Sequence, residues 1–214
     1  MAVAPATAQA ADQRTITVTG TEAIDTPNDA ATLSFRVRVT RNTKAGALSA
    51  MAARNRRVTA ALVGQGIARG DIQSQDVSLR RSVQRRTKRH KRRVVYTAAN
   101  SIAATLLDVG KVDSVVRAAV RAGAVGVENI EFFVSNSDAL YRQALGTAYD
   151  DAKEKAQLLA QRAGVTLGEP ISIQESQDFF SSGFSDLSAA PSAGSIEPGT
   201  GTVVAFVTVV FAIS

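Results

Sequence analysis

The sequence predicts an α+β fold, a largely antiparallel sheet with three helices in the order β-β-α-β-β-α-β-α-β-β. Three observations carry this prediction. Stretches with strand-period alternation leave one face polar, the pattern of antiparallel sheets. Three helical stretches each end in a glycine-containing turn followed by a strand, at Gly66-Ile67, Gly123-Ala124 and Gly164-Val165, so the recurring unit is a helix laid back over a sheet. It is too degenerate for a solenoid array. With 45% apolar residues among 214, the chain has ample material for a packed core.

Residues 15–19 alternate, with Ile16 and Val18 on one face. Residues 31–40 do so more fully: Leu33, Phe35, Val37 and Val39 face in, while Thr32, Ser34, Arg36, Arg38 and Thr40 face out. Asp25, Pro27, Asn28 and Asp29 supply turn chemistry between them, so the pair is expected to form a hairpin. Over 43–64 the period becomes helical, with Leu48, Met51, Ala52, Val58, Ala61 and Leu62 on one stripe and Arg54, Arg56 and Arg57 outside it. Residues 72–83 and 94–106 read as strands; in the second, Tyr96, Ala98, Asn100, Ile102, Ala104 and Leu106 share a face. The segment between them is expected to be the projecting end of a long hairpin.

Asp108 can cap a short helix over 110–122, where Val112, Val115, Val116, Ala119 and Val120 follow the i, i+3, i+4, i+7, i+8 pattern. A strand over 127–135 follows, with Ile130, Phe132 and Val134 inward. The stretch 137–164 is the long helix around which the chain is organised. Ala144, Ala148, Ala152, Ala156 and Ala160 form a methyl ridge along it, widened by Leu140, Leu145, Tyr149, Leu159 and Ala163. Ser135, Asn136 or Ser137 can accept from its first free amides, and Gly164 stops it. At 1.5 Å per residue it is about 40 Å long, so it must lie across a whole sheet or meet another subunit. A strand over 170–175 comes next. Residues 177–199 are rich in Ser, Gly, Ala and Pro and are expected to be a mobile excursion. The run 202–213 is β-branched and apolar on both faces, which places it in the middle of a covered sheet.

The formal charge of +6 is local. Residues 80–93 hold nine Lys or Arg and no acid, leaving 16 basic against 19 acidic residues elsewhere, or −3. The chain has no cysteine, and its single histidine, His90, lies in the basic run; disulfides, thiolate catalysis and Cys/His metal cages are therefore not available. The first ten residues are small and uncharged and end in Ala8-Gln9-Ala10, similar to the cleavage site of an export signal but without its charged and long apolar parts. Residues 1–14 are read either as the remnant of such a signal or as a flexible terminus. Residues 15–214 are read as one domain. No run of about 20 apolar residues exists to span a membrane as a helix.

The residues that carry a family resemblance are Val18-Thr19-Gly20 with Pro27 and Asp29-Ala30; Asn55 and Leu62 leading into Gly66-Ile67 and Asp71-Ile72; Tyr96 to Asn100; and Gly123-Ala124. Lys155-Ala156, Leu159-Ala160, Ile196 and Pro198-Gly199 complete the set. In this order and spacing the chain resembles the SIMPL domain family over about 15–213. Glu22 stands where many relatives have a second glycine, Ser74 where threonine is usual, and the segment between Leu79 and Tyr96 is unusually basic. The resemblance implies an α+β fold, an extracytoplasmic location for bacterial members, a tendency to self-assemble and a loose link to envelope or oxidative stress. It implies no catalytic residue, so none is carried over.

The chemistry-bearing residues agree with a non-enzymatic protein. Asp150, Asp151 and Glu154 resemble an acid/base or metal cluster, but Asp151 with Lys155 and Asp150 with Lys153 are ordinary helix-surface pairs. A serine nucleophile needs a base, and His90 lies among cations. The glycines follow helices rather than open them, so no phosphate cradle is present. No catalytic, cofactor or metal residues are therefore assigned. Arg85, Arg86, Lys88, Arg89, Lys91, Arg92 and Arg93 are candidate contacts for a polyanion (nucleic acid, anionic lipid or wall polymer); the competing reading is a solvated charged loop that protects a sheet edge. Phe179, Phe180 and Phe184 are candidate partner contacts or fold back on the core. The expected protein is an extracytoplasmic homo-oligomer, with polyanion binding as the alternative.

Overall fold

A computed structural model describes residues 14–84, 93–176 and 197–214. Its three α-helices and seven strands follow the predicted order. The strands divide between two sheets, and the chain between two compact units.

One unit contains β2 (Ala30–Arg41), α1 (Lys44–Gly64), β3 (Ile72–Gln84), β4 (Arg93–Leu106), α2 (Val112–Ala122) and β5 (Gly126–Phe133). Its sheet has the order β3-β4-β2-β5, with antiparallel neighbours. The alternating residues named above set the register: Leu33 pairs with Ala104, Phe35 with Ile102 and Val39 with Ala98. These side chains share a core with Met51, Val58 and Leu62 of α1 and Val112, Val115 and Ala119 of α2. Thr43 caps α1 by accepting from the Gly46 amide at 3.1 Å. Asp108 accepts from Gly110 at 3.1 Å and starts a single 3-10 turn before α2. On α1, Ala47 is buried and Ala52 exposed, so the stripe is turned slightly from the expected one. Arg54 bends back to donate to the Arg38 carbonyl at 3.1 Å and lies against Gly123, whose φ of 115° closes α2.

The other unit contains β1 (Thr15–Pro27), α3 (Ser137–Ala163), β6 (Leu167–Ser176) and β7 (Thr200–Ile213), with strand order β1-β7-β6. The apolar run 202–213 is the central strand, as expected. Arg14 with Ile213, Thr19 with Thr208 and Asp25 with Thr202 are bonded in constant register, which makes β1 and β7 antiparallel. Ala205, Val207, Val209 and Phe211 are buried with the alanine ridge of α3, while Val204, Phe206 and Val210 on the opposite face are half-buried. All five ridge alanines are at most 2% exposed, so within this unit the ridge meets the sheet.

The expected hairpin of the first two strands does not form. The turn residues are anchored by distant segments instead: Asn28 donates from its backbone to Gly199 and from its amide to Pro198, and Asp29 accepts from Ser135. The chain thus passes from a strand of one sheet to a strand of the other. Because the Ser135 hydroxyl is committed to Asp29 and Asn136, the N-cap residue of α3, makes no side-chain cap bond, the expected side-chain cap of that helix is also not formed.

Candidate interaction surfaces

Asp151 of α3 serves the fold. It accepts from the Thr21 amide at 2.9 Å and from Lys155 Nζ at 2.7 Å, while Lys155 Nζ also donates to the Thr19 carbonyl at 3.1 Å. The Lys155 bond first, then the Thr21 amide, holds the Asp151 carboxyl below its ordinary pKa. Among the described residues, no group of three or more His, Cys, Asp or Glu is placed to hold a metal. A groove of about 340 Å³ between α3 and β6 is lined by Tyr149, Lys153, Gln157, Glu169 and Phe211. Nearby, the half-buried Tyr141 donates to Glu175 at 2.8 Å, and burial, reinforced by that bond, pushes its pKa up to about 12. This is a neutral donor holding a helix to a strand.

The pair Asp151 and Lys155 makes the two edges of the three-stranded sheet unequal. The Thr21 N–H and Thr19 C=O belong to β1, which among the described residues has no strand neighbour on its outer side, and the helix supplies partners to both. That edge is thereby partly occupied. At the opposite edge, β6 pairs among the described strands with β7 alone. Its Ile173 stands opposite Val209, and Ile171 falls at the register shift between Pro170 and Ser172; these are 58% and 49% exposed. Two half-exposed isoleucines therefore lie on an edge strand. Phe179, Phe180 and Phe184, the expected partner contacts beyond β6, lie outside the described residues.

In the four-stranded sheet, β3 and β4 pair up to Gln84 opposite Arg93, so 85–92 connects antiparallel neighbours as the sequence predicts. Arg85, Arg86, Lys88, Arg89, Lys91 and Arg92 lie outside the described residues; Arg93 begins β4 and is exposed. The described strands add two cations that were not grouped with the basic run. On the face turned away from α1 and α2, the register aligns Gln75-Ser101-Arg36, Ser78-Ala99-Arg38 and Arg80-Thr97-Thr40 in successive ranks. Ser82-Val95 continues them, and Arg93 stands two residues before Val95 on β4. Arg36 is paired with Glu128, which also accepts from Ser101 at 3.0 Å, and the Arg36 bond holds the Glu128 carboxyl below its usual range. Arg38 and Arg80 are exposed and form no ion pair among the described residues.

A family model described as SIMPL, protein of unknown function (DUF541), matches residues 16–211. The chain belongs to the SIMPL family. The SIMPL match spans strands and helices of both compact units. No curated protein matches the chain. Among SIMPL residues named from the sequence, Gly20 sits under α3 and Asn100 is buried in β4, so these positions serve packing. The joining of Arg36 and Arg38 to Arg80 was not legible: alternation turned the first two outward, but only the pairing of β2 and β3 on either side of β4 brings the three together. Among the described residues no helix is long and apolar enough to cross a membrane.

Proposed function

We propose that this SIMPL protein is a non-enzymatic, extracytoplasmic protein that works by self-association, with copies joining through β6. The observation that carries this reading is the inequality of the sheet edges, one bonded to Asp151 and Lys155 and the other presenting Ile171 and Ile173. A second copy of β6 laid antiparallel about a two-fold axis extends the sheet and covers the isoleucines. Pro170 and Glu169 at the start of β6 oppose unlimited edge pairing, which favours a closed assembly over a fibre. The extracytoplasmic placement rests on the signal-like residues at 1–10 and on the family resemblance, as does the connection to envelope or oxidative stress. The test is Ile173→Lys, compared with wild type by solution mass. The variant is expected to be smaller than the wild-type assembly at equal concentration; an unchanged assembly with an intact fold removes β6 from the interface.

A second reading, binding of a polyanion through the basic hairpin 80–93, is favoured by the exposed Arg80 and Arg93 at the described base of that hairpin. Its test is a heparin titration of wild type at two salt concentrations. Binding that weakens steeply with salt supports it, and no binding at low salt removes it.

A further inference from the structure

We infer that the helix-free face of the β3-β4-β2 strands binds an acidic polysaccharide, with Arg38 and Arg80 as its principal contacts. The inference rests on the polyanion reading and extends it from the hairpin end onto the sheet.

The face carries chemistry suited to a linear anionic chain. On β4 its Val95, Ala99 and Ser101 are at most 8% exposed, so a ligand meets the flanking side chains and not β4 itself. These are the longer residues of the flanking strands: Arg36 and Arg38 on β2, Gln75 and Arg80 on β3. With strands about 4.8 Å apart and about 3.3 Å of rise per residue, the three ranks from Arg36 to Arg80 cover roughly 10 by 14 Å, and Arg93 lies about 13 Å further on. The far end is closed to anions by Glu128 and by Glu131, which stands opposite Thr32 on β5. The exposed Arg38 and Arg80 therefore lie on the side of the face away from these β5 carboxylates.

Two features favour a polysaccharide over a nucleic acid. The positions between the arginines are hydroxyls and amides (Ser78, Thr40, Thr97, Gln75), which match sugar hydroxyls, and Thr40 and Thr97 lie side by side with their oxygens 2.9 Å apart. Arginine forks suit carboxylate or sulfate groups along such a chain. Against single-stranded nucleic acid, the ranks hold no aromatic ring on which a base can stack. Tyr96, the one tyrosine of β4, packs on the core side of the sheet.

The test compares heparin, polygalacturonate, neutral dextran and a single-stranded oligonucleotide, each titrated against wild type, the Arg38→Gln/Arg80→Gln double variant and a variant with the cations of 85–92 replaced by Gln or Ser. Losing two ionic contacts should lower acidic-polysaccharide affinity about tenfold or more and reduce the log K against log salt slope by about two. If the double variant does not fold, Arg80→Gln alone should reduce the slope by about one. An unchanged affinity and slope in the folded face variants, with binding lost only on neutralising 85–92, overturns the sheet site and leaves the hairpin reading standing. No binding of any polymer to wild type at low salt removes both. Dextran binding as strong as polygalacturonate, or oligonucleotide binding tighter than either acidic polysaccharide, overturns the assignment of polymer class.

Discussion

Gly20 of β1 passes so close under α3 that a β-carbon placed on it would stand 1.8 Å from the Ala148 carbonyl oxygen and 2.6 Å from the Ala152 amide nitrogen. Both atoms belong to helix backbone and cannot turn aside. The methyl ridge and this glycine are thus one device, which lets a helix of 27 residues approach β1 closely at Ala148 and Ala152. Gly20→Ala must lift the helix, and Ala152→Leu overpacks the same contact. Each should cost about 1–3 kcal/mol in urea unfolding, with Gly20→Ala at the upper end. Midpoints equal to wild type for both would mean that the helix does not rest there.

Val207 lies on the central strand of the same sheet and is 4% exposed. Val207→Asp places an unpaired carboxylate under α3, and the expected loss is about 3 kcal/mol or more. Thermal unfolding checks it; a soluble variant melting with wild type would remove β7 from the core.

Asp29 accepts from Ser135 Oγ at 2.6 Å and from Ser135 N at 2.7 Å, and these bonds, the hydroxyl's first, hold its carboxyl below the ordinary value. A carboxyl with a lower pKa folded than unfolded adds stability above its unfolded pKa and loses it as the pH falls through the folded one. The contribution is therefore present at neutral pH and fades below about pH 4. It is exposed, so solvent screening keeps it under about 1 kcal/mol. Asp29→Asn should be less stable than wild type at pH 7 and close to it at pH 3, read from urea midpoints. The same difference at both pH values would show that the carboxylate charge plays no part.

Asn100 is buried in β4 with its Oδ1 unpaired, and its amide reaches Ser74 Oγ only at 3.4 Å. An unsatisfied buried oxygen opposes folding, so Asn100→Leu should be neutral or stabilising by about 1 kcal/mol. A loss above about 2 kcal/mol would show that Asn100 makes a contact essential to the strand.

Local periodicity was enough to read the elements and much of their inward faces, although Val120 and Leu159, read as part of the apolar stripes, are 45% and 49% exposed. Leu33, Phe35, Val37 and Val39 alternate strictly, and the alanines of α3 recur every fourth residue, so the buried side of each is written locally. Sheet membership was not legible in the same way. Asp25, Pro27, Asn28 and Asp29 read as a hairpin turn because their turn chemistry is real, but their partners, Pro198, Gly199 and Ser135, are more than 100 residues away. The candidate surfaces divide along the same line. The basic run is contiguous and visible as composition; the alignment of Arg38 with Arg80 depends on which strands flank β4, and the bonds made to the edge of β1 depend on a helix 130 residues further along the chain.

Sedimentation equilibrium of the wild-type protein over a range of concentrations, with and without heparin, tests self-association most directly. The expected result is a mass of two or more times 22.4 kDa that is already reached without heparin. A mass of 22.4 kDa at every concentration in the absence of heparin would contradict it.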